Sequence, residues 1–558
     1  MLDKCIFFLY VPNMFVRVKK KSNGKKSIQI VASYRRADKV SQKIIRHIGQ
    51  AVTDHEVEQM KKLAQSIIYE MEAQRQPALP LFEPGKVANR VKKKAAGKVR
   101  ISDLREEQRI INGIGEVFGK LYKDLNLDTL IRGTRKNSQW NSVLESCVMA
   151  RLANPSSKRR TASLLEQDFG IKIPLEKIYR MMDHVAANEE NIKKQIAQTT
   201  RTLFKEQVDV LFFDVTTLYF ESFEKDELRN FGFSKDNKFK ETQVVLALVT
   251  TTYGLAITYQ VFAGNIYEGH TLVEMVEKLK NDYSINNIML VADRGMFTER
   301  NLSIMDELDI TYIVGAKLRS LPKKNKQQIF ESTFEPQVIN NELQWTKEFE
   351  YNNRRLVVSY SSKRARKDAA DRQRLIDRLM KKLKGGKLRV KDLIPNYGTK
   401  KYITIDSGKA RINQDKIEHD AKWDGLHAII TNSKEQASSV LLKRYRELWQ
   451  IEEAFRISKH DLKMRPIYHW TENRIKAHIA ICFIAFALIK QAVYRVSIQQ
   501  QPMSFEQIRN ELLHAQSSIV RDISTNKKYL IPSHVTVNQK KLYHVFGLKR
   551  SDVPYELV

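Results

Sequence analysis

The chain has 558 residues, of which 42% are hydrophobic. This length and composition suit several domains of roughly 100–200 residues with substantial cores, and they exclude a largely disordered protein. Lysine and arginine together number 96 against 64 acidic residues, which gives a formal net charge of +32. Such an excess indicates a polyanionic partner, above all nucleic acid, and a surface charged only for solubility is the alternative.

Cysteines and apolar runs indicate the cellular setting. Cys5, Cys147 and Cys482 are too few and too scattered for a disulfide framework or a zinc site, which favours a reducing cytoplasm. The apolar stretch Ile479–Ile489 is shorter than the roughly 20 residues that span a membrane, so we predict a buried core helix. The N-terminal segment lacks the cleavage site of a signal peptide, and we interpret residues 1–13 as an upstream extension.

The first predicted unit, residues 14–80, is a small basic module. Apolar and polar residues alternate on both sides of Asn23-Gly24, which is a strong signal for a β-hairpin. A third strand-like segment follows, and then a predicted helix that begins near Asp54. We predict that this module binds DNA. Residues 81–100 are predicted to be a basic linker, either a solvated tether or an arm that contacts phosphates.

The remaining chain is predicted to alternate between helical and strand-rich regions. Helical spacing dominates residues 101–205, and strand-like segments around a helix predict an α/β fold with a mixed sheet over residues 206–320. Residues 321–440 have the pattern of a β-rich insertion around a basic helix. Helical patterns return in residues 441–500, which we assign to the last part of the α/β domain. We predict a helical tail at 501–558.

Two aspartates follow apolar runs in the α/β region. Asp214 comes after "VDVLFF" and Asp293 after "NNIMLVA". In open α/β sheets ligands gather outside the carboxyl ends of the strands, so the two acids are candidates for one shared site. An aspartate after a strand is often only a turn-forming residue, and this alternative stays open for each acid taken alone.

A third acid lies in the segment "YRELWQIEEAFRISK". Glu452 shares a predicted helix face with Tyr445 and Lys459. A surface ion pair with Arg456 at i+4 is the alternative role, and Glu453, about 100° away around the helix, is the competing acid. Three converging carboxylates would repel one another unless cations lay between them. Oxygen ligands suit Mg²⁺ or Mn²⁺, and two such ions support in-line phosphoryl transfer.

At these residues the sequence resembles the DDE transposases of bacterial insertion sequences, in the branch with a β-rich insertion between the second aspartate and the glutamate. The similar segments are, in the family's order, "FFDVTTLYFES", "FGFSKDNK", "VFAGNIYEGHTL", "VADRGMFTERN", "WDGLHAIITN" and "YRELWQIEEAFRISK". The resemblance covers most of the chain from about Met14. It implies an RNase H-like core in which Asp214, Asp293 and Glu452 are the catalytic acids and hold two metal ions, Mg²⁺ or Mn²⁺.

The resemblance also implies residues that contact DNA. Tyr445 and Lys459 match the signature of the family's glutamate helix, whereas the position of the signature arginine is occupied by Leu448. Arg294 and Lys235 are further candidates for DNA contacts, with a structural or solvated loop as the alternative for each.

Other residues of the resemblance stay ambiguous. Arg444 and Arg446 are candidates for the missing cation, although neither lies on the predicted face of Glu452. Trp423 in the insertion is expected either to contact a base or to belong to the core.

These features together predict a cut-and-paste DNA transposase. It would bind the terminal inverted repeats of its insertion sequence and catalyse strand cleavage and strand transfer. The expected partner is double-stranded DNA, as element ends and as target, with a homodimer in the complex and no membrane. The expected location is the bacterial cytoplasm, at the nucleoid. Two alternatives are an RNase H-like nuclease or resolvase that only cuts, and an inactive DNA-binding repressor derivative.

Overall fold

The structure, a computed structural model, describes most of the chain. The described residues are 13–21, 26–36, 39–51, single positions between 54 and 68, 94–95, 99–131, 138–204, 210–232, 240–283, 289–296, 298–339, 342–384, 401–406, 409–499 and 502–557. Lys235, the Asn23-Gly24 turn and most of the predicted linker lie outside these ranges.

The strands of the described residues form four sheets. In chain order they are β1 (Asn13–Lys20), β2 (Lys26–Arg36), β3 (Lys39–Ala51), β4 (Lys94–Ala95), β5 (Leu104–Ile111), β6 (Val210–Tyr219), β7 (Gln243–Thr251), β8 (Ala256–Ala263), β9 (Met289–Ala292), β10 (Thr311–Gly315), β11 (Glu335–Ile339), β12 (Glu342–Tyr351), β13 (Arg354–Tyr360), β14 (Ile403–Asp406), β15 (Lys409–Ile412), β16 (Leu426–Thr431), β17 (Gln516–Asp522), β18 (Lys528–Pro532) and β19 (Tyr555–Leu557).

Helices connect and cover these strands. In chain order they are α1 (Gly113–Asp124), α2 (Ser138–Ala153), α3 (Lys158–Phe169), α4 (Leu175–Ala187), α5 (Glu189–Phe204), α6 (Glu268–Tyr283), α7 (Glu299–Glu307), α8 (Lys323–Glu331), α9 (Ser362–Lys384), α10 (Gln414–Ala421), α11 (Ser438–Arg446), α12 (Trp449–Arg456), α13 (Glu472–Gln499), α14 (Phe505–Leu513) and α15 (Val537–Val545).

The largest sheet confirms the predicted mixed α/β fold. Its nine strands have the order β11-β12-β13-β16-β10-β9-β6-β7-β8. β6, β7 and β8 form an antiparallel meander, and β9 and β10 continue the sheet parallel to β6 on its other side. Side chains from one face of these strands pack with α6, α7 and α8 into one buried core.

The predicted insertion, residues 321–440, is β-rich, and most of its strands extend the same sheet. β16 pairs with β10, and β13 pairs with β16, in both cases antiparallel. β12 and β11 then complete this edge. β14 and β15 form a hairpin of their own beside the long helix α9, against which Tyr402 is buried with Ile376 and Leu379.

The N-terminal segment contains the predicted hairpin and third strand. β1, β2 and β3 form one antiparallel sheet. The described positions between 54 and 68 are helical, and the apolar side chains Val57 and Ala64 pack against Ile28 and Ile30 of this sheet. The local pattern was sufficient here because each strand pairs with its neighbour in the sequence.

The C-terminal region differs from the predicted helical tail. α14 and α15 are present, but β17, β18 and β19 join β4 and β5 in a five-stranded sheet. The predicted helical region, residues 101–205, begins instead with a strand, because β5 pairs with β17. These strands are short, and they pair residues from opposite ends of the chain. Local sequence patterns therefore do not predict this sheet.

The chain divides into two compact units. One comprises Met1–Leu121, Leu164–Lys172 and Gln491–Val558, and the other comprises Tyr122–Ser163 and Ile173–Lys490. The nine-stranded sheet belongs entirely to the second unit.

The apolar stretch Ile479–Ile489 lies within α13, and all of its residues are buried, as predicted for a core helix. Among the described helices, α13 alone is long and apolar enough to cross a membrane, yet 83% of its apolar window is buried within the protein.

Candidate active site

Asp214 and Asp293 occupy equivalent positions on neighbouring parallel strands. The pairing of β6 with β9 extends to Phe213 and Ala292, so the next residue of each chain segment is an aspartate. Their Cα atoms are therefore expected about 5 Å apart. The sequence suggested that Asp214 ends its strand. In the structure, β6 instead continues past Asp214 to Tyr219, paired with β7. The parallel pairing of β6 with β9 ends just before Asp214.

Both aspartates project from the face opposite the buried core described above. Phe213 and Val215 on β6 and Ala292 on β9 point into that core, and side chains alternate between the two faces of a sheet. Asp214 is half-buried, and its Oδ1 accepts a hydrogen bond of 2.7 Å from the backbone N–H of Val215. Asp293 is exposed.

Two helices cover this second face. α11 packs against β9 and β10, and α12 packs against β6 and β7. From α11, the Tyr445 hydroxyl donates a hydrogen bond of 3.3 Å to Oδ1 of Asp293. Burial, followed by the negative charge of Asp293, raises the pKa of Tyr445, so its hydroxyl stays protonated as a donor.

Glu452 and Glu453 on α12 have different surroundings. Glu452 is exposed and lines a cavity together with Asp293. Glu453 instead accepts a hydrogen bond of 2.8 Å from the ammonium of Lys490, a side chain that is only 5% exposed. Arg456, the proposed i+4 partner of Glu452, pairs with Asp461 at 3.2 Å and with Glu453 at 4.0 Å. The geometry therefore favours Glu452 over Glu453 as the site carboxylate.

A cavity of about 950 Å³ brings several of the predicted site residues together. Those that line it are Asp293, Arg294, Tyr445 and Glu452. Asp214 is not among its lining residues. Lys459 lies half-buried in the π-helical turn Ile457–Asp461 that follows α12, and it does not line the cavity either. Lys235 lies outside the described residues.

The carboxylate oxygens of the three acids are suitable ligands for a divalent metal ion, although they do not lie close enough together to form a complete site. Asp214, Asp293 and Glu452 offer only carboxylate oxygens, the ligands that Mg²⁺ and Mn²⁺ prefer. Within the described ranges, no group of three or more His, Cys, Asp or Glu side chains is close enough to hold a metal ion. Carboxylates repel one another when no cation lies between them.

The glutamate helix is interrupted where the sequence suggested one continuous face. α11 ends at Arg446 and α12 begins at Trp449. The intervening N–H groups bond to carbonyls three residues back, as from Leu448 to Tyr445 and from Ile451 to Leu448, which tightens the turn and shifts the helical phase. Arg446 lines a second cleft with Asp293 and Glu452, as do Tyr445, Leu448 and Trp449, so the prediction for the face of Arg446 stays a prediction. Leu448 itself is buried.

Three residues of the site were missed from the sequence: Gly315, Arg364 and His427. The His427 ring lies 5.1 Å from that of Tyr445 between centroids. Burial, together with the nearby guanidinium groups of Arg364, Arg446 and Arg294, lowers the pKa of His427 to about 4, so it is neutral near pH 7. The segment "WDGLHAIITN" contains this histidine just before a short apolar run, and that was the available hint.

Gly315 is required by the close approach of Tyr445. A Cβ atom built at Gly315 would lie 2.2 Å from Oη of Tyr445 and 3.1 Å from the backbone nitrogen of Arg294. A side chain there would displace the tyrosine from Asp293. Trp423, the residue with an ambiguous role, is buried in the core, with its ring 4.6 Å from that of Phe330.

Comparisons with known proteins identify the family of the chain. A family model described as "Transposase DDE domain" matches residues 206–488, and one described as "IS1634 family transposase, N-terminal domain" matches residues 15–78. A search of curated proteins returns no match. Among solved structures, the chain is similar to one titled "Cryo-EM structure of piggyBac transposase synaptic complex with hairpin DNA (SNHP)", with 10% sequence identity. The match covers 72% of this chain and 77% of that chain, and its TM-score of 0.35 is too low to carry an argument.

The DDE-domain match covers half of the chain and includes all three predicted acids. A DDE domain implies the RNase H-like fold, which the meander β6–β8 with parallel β9 and β10 matches. Members of this family generally use divalent metal ions. The chain therefore belongs to the DDE transposases of insertion sequences, enzymes that act on DNA in transposition.

Proposed function

We propose that this chain is a cut-and-paste transposase in which Asp214, Asp293 and Glu452 hold two divalent metal ions, Mg²⁺ or Mn²⁺. The observation that carries the proposal is the register of β6 with β9, which gives the two aspartates equivalent positions on the face that α12 covers with Glu452. Two bound ions would activate the attacking oxygen and stabilise the leaving oxygen in an in-line displacement at phosphorus.

The residues of the chain hold and orient the carboxylates. β6 is paired on both sides, with β7 and with β9, so its backbone presents Asp214 rigidly. The Tyr445 hydroxyl donates to Oδ1 of Asp293 and leaves the other carboxylate oxygen for a metal ion. Arg294, next to Asp293 in the 950 Å³ cavity, contributes positive charge for a DNA phosphate, and Lys459 is proposed to contact a phosphate as well.

The rest of the chain is proposed to bind and arrange DNA. The basic module of residues 14–80 would recognise the terminal inverted repeats. Residues 206–320 and 441–500 are proposed to form the catalytic core, with the insertion at 321–440 between them. Two copies of the chain would assemble on the element ends at the bacterial nucleoid, since coordinated cutting of both ends requires two active sites.

The experiment is a plasmid assay with the element ends and a target, in Mg²⁺, Mn²⁺ or EDTA. Asp214→Asn, Asp293→Asn and Glu452→Gln should abolish cutting and joining while DNA binding persists. Glu453→Gln is the matched control, because its carboxylate pairs with Lys490, and it should still cut. Cutting without joining would support a nuclease or resolvase. Binding without cutting by the unmodified protein would support an inactive repressor derivative.

A further inference from the structure

A second cleft, of about 760 Å³, adjoins the acids and collects cations from two elements. Asp293, Tyr445 and Glu452 line it, as they line the first cavity. The cations that line it are Lys363, Arg364 and Lys367 from the first two turns of α9 and Arg446 from the end of α11, and three further acids, Glu342, Asp368 and Asp371, line it as well. Arg364 lines both clefts.

The first turn of α9 is electrostatically unfavourable by itself. Its sequence begins "SKRARK", and it has no acidic residue in the first turn. The N-terminus of a helix carries a partial positive charge, so cations there destabilise the helix and an anion stabilises it. A negatively charged ligand in this cleft would offset the repulsion from both the cations and the helix terminus.

Intramolecular carboxylates neutralise some of these cations more than others. Lys363 is paired with Glu342 at 2.9 Å. Among the described residues, Arg364 is paired with Asp368 at 3.8 Å, which is a long contact, and the Arg364 side chain is 51% exposed. Arg446 donates a hydrogen bond to the neutral amide oxygen of Gln344. Arg364 and Arg446 are therefore the two guanidinium groups with the most capacity left for an external anion.

We propose that Arg364 and Arg446 together bind a backbone phosphate of the DNA strand beside the acids, and so provide the cation that Leu448 does not. Guanidinium groups suit this role because they donate two parallel hydrogen bonds to one phosphate. The inference rests on the proposed function, since it assumes that DNA enters the cleft at Asp293 and Glu452. It makes the insertion, through α9, part of the active site.

The test measures DNA binding by the full-length protein with fluorescently labelled element ends in Ca²⁺, over a range of salt concentrations. Arg364→Ala and Arg446→Ala should each weaken binding roughly 10-fold and lower the slope of log K against log salt by about 0.9. Arg366→Ala is the matched control, because Arg366 is exposed on the same helix and lines neither cleft. An equal effect of Arg366→Ala, or an unchanged slope in the cleft variants, would overturn the proposal.

Neutral methylphosphonate linkages identify the phosphate concerned. One such substitution near the cleavage site should weaken binding by the unmodified protein roughly 10-fold and leave the double variant Arg364→Ala/Arg446→Ala almost unaffected, because both contacts are already absent. Additive losses at every position would contradict the assignment. Inorganic phosphate, added at constant ionic strength, distinguishes a DNA site from a site for a small anion. Tight binding of free phosphate that depends on Arg364 would overturn the assignment to DNA.

These outcomes are separable from those of the proposed function. Cleavage that survives Asp293→Asn would contradict the metal site, while the salt slopes would still report on Arg364 and Arg446. Conversely, unchanged slopes together with a strict requirement for the three acids would contradict this inference alone.

Discussion

The two halves of the nine-stranded sheet contribute different residues to one cleft. In the half formed by β6 to β10, strand register sets the position of Asp214 and Asp293. In the half formed by β11, β12, β13 and β16, the strands carry α9, which brings Arg364 to the same cleft, and β16 brings His427. Asp214 and Asp293 are thus held by rigid paired backbone, whereas Arg364 is held near a helix terminus. We therefore expect the first half of the sheet to take part in the reaction and the second half to position the DNA.

Polar contacts join the two halves away from the cleft. The guanidinium of Arg354 on β13, almost fully buried, bonds to Glu299 and Asp306 of α7. Arg319, beyond β10, donates to Asp420 of α10 at 2.8 Å. The insertion is therefore fixed to the core by ion pairs as well as by strand pairing, and each link can be tested separately from the chemistry.

The largest expected effect is a difference in cleavage rate at saturating DNA between a variant of a site acid and a variant of a cleft arginine. Asp293→Asn should lower the cleavage rate by roughly 1,000-fold even at saturating DNA, because it removes a proposed metal ligand, which would act in the reaction itself. Arg364→Ala should approach the unmodified rate once DNA is saturating, because it weakens binding. Single-turnover cleavage over a range of DNA concentrations makes the comparison. A similar loss at saturation for both variants would remove the distinction between the halves.

Next in size is the loss of the link at Arg354. Arg354→Ala leaves Glu299 and Asp306 without their partner and should destabilise the fold by about 3 kcal/mol. Thermal unfolding should report a melting temperature lower by roughly 5–10 °C. The exposed Arg366→Ala serves as the control and should leave the transition unchanged. If Arg354→Ala had no effect, strand pairing alone would hold the insertion.

A smaller effect is expected at Gly315. Gly315→Ala would push the Tyr445 hydroxyl away from Asp293 and should slow cleavage roughly 10- to 100-fold while the secondary structure persists. Gly115→Ala is the control, since a Cβ atom at Gly115 meets no atom within 4 Å. Cleavage at the normal rate by Gly315→Ala would show that the tyrosine does not orient the aspartate.

The smallest effect concerns pH and Asp420. Burial alone would raise the pKa of Asp420, but hydrogen bonds from Lys401, Arg319 and Tyr402 outweigh it and lower the pKa below 3.8. A lowered pKa stabilises the folded state above the unfolded-state value, and this contribution is lost as the pH falls through the folded-state value. Asp420→Asn should therefore cost about 1–2 kcal/mol at pH 7. Thermal unfolding from pH 7 to pH 3 should show this difference constant above about pH 5 and shrinking below about pH 4. A difference that grows in acid would contradict the assignment.

The sequence was sufficient for features that depend on local pattern. The apolar runs before Asp214 and Asp293 predicted two strands, and the structure has β6 and β9 there. The buried helix around Ile479–Ile489 followed from its length and composition. These elements are determined by residues close in the chain, so periodicity alone identifies them.

Features that depend on long-range pairing were not predictable in this way. Nothing local indicates that β16 lies beside β10 or that β5 pairs with β17. The interruption of the glutamate helix was not predicted either, because the tight turn at Leu448 leaves no signal in the helical spacing. The need for Gly315 appears only once the Tyr445 hydroxyl is seen against its Cα.

The most direct test of the central claim is a count of metal ions in the protein–DNA complex. Mn²⁺ titration followed by electron paramagnetic resonance should give two ions per active site in the unmodified protein. Asp214→Asn, Asp293→Asn and Glu452→Gln should each lose at least one ion, and Glu453→Gln should keep both. Full Mn²⁺ binding in any of the three acid variants, or loss of an ion in Glu453→Gln alone, would contradict the assignment of these carboxylates as one metal site.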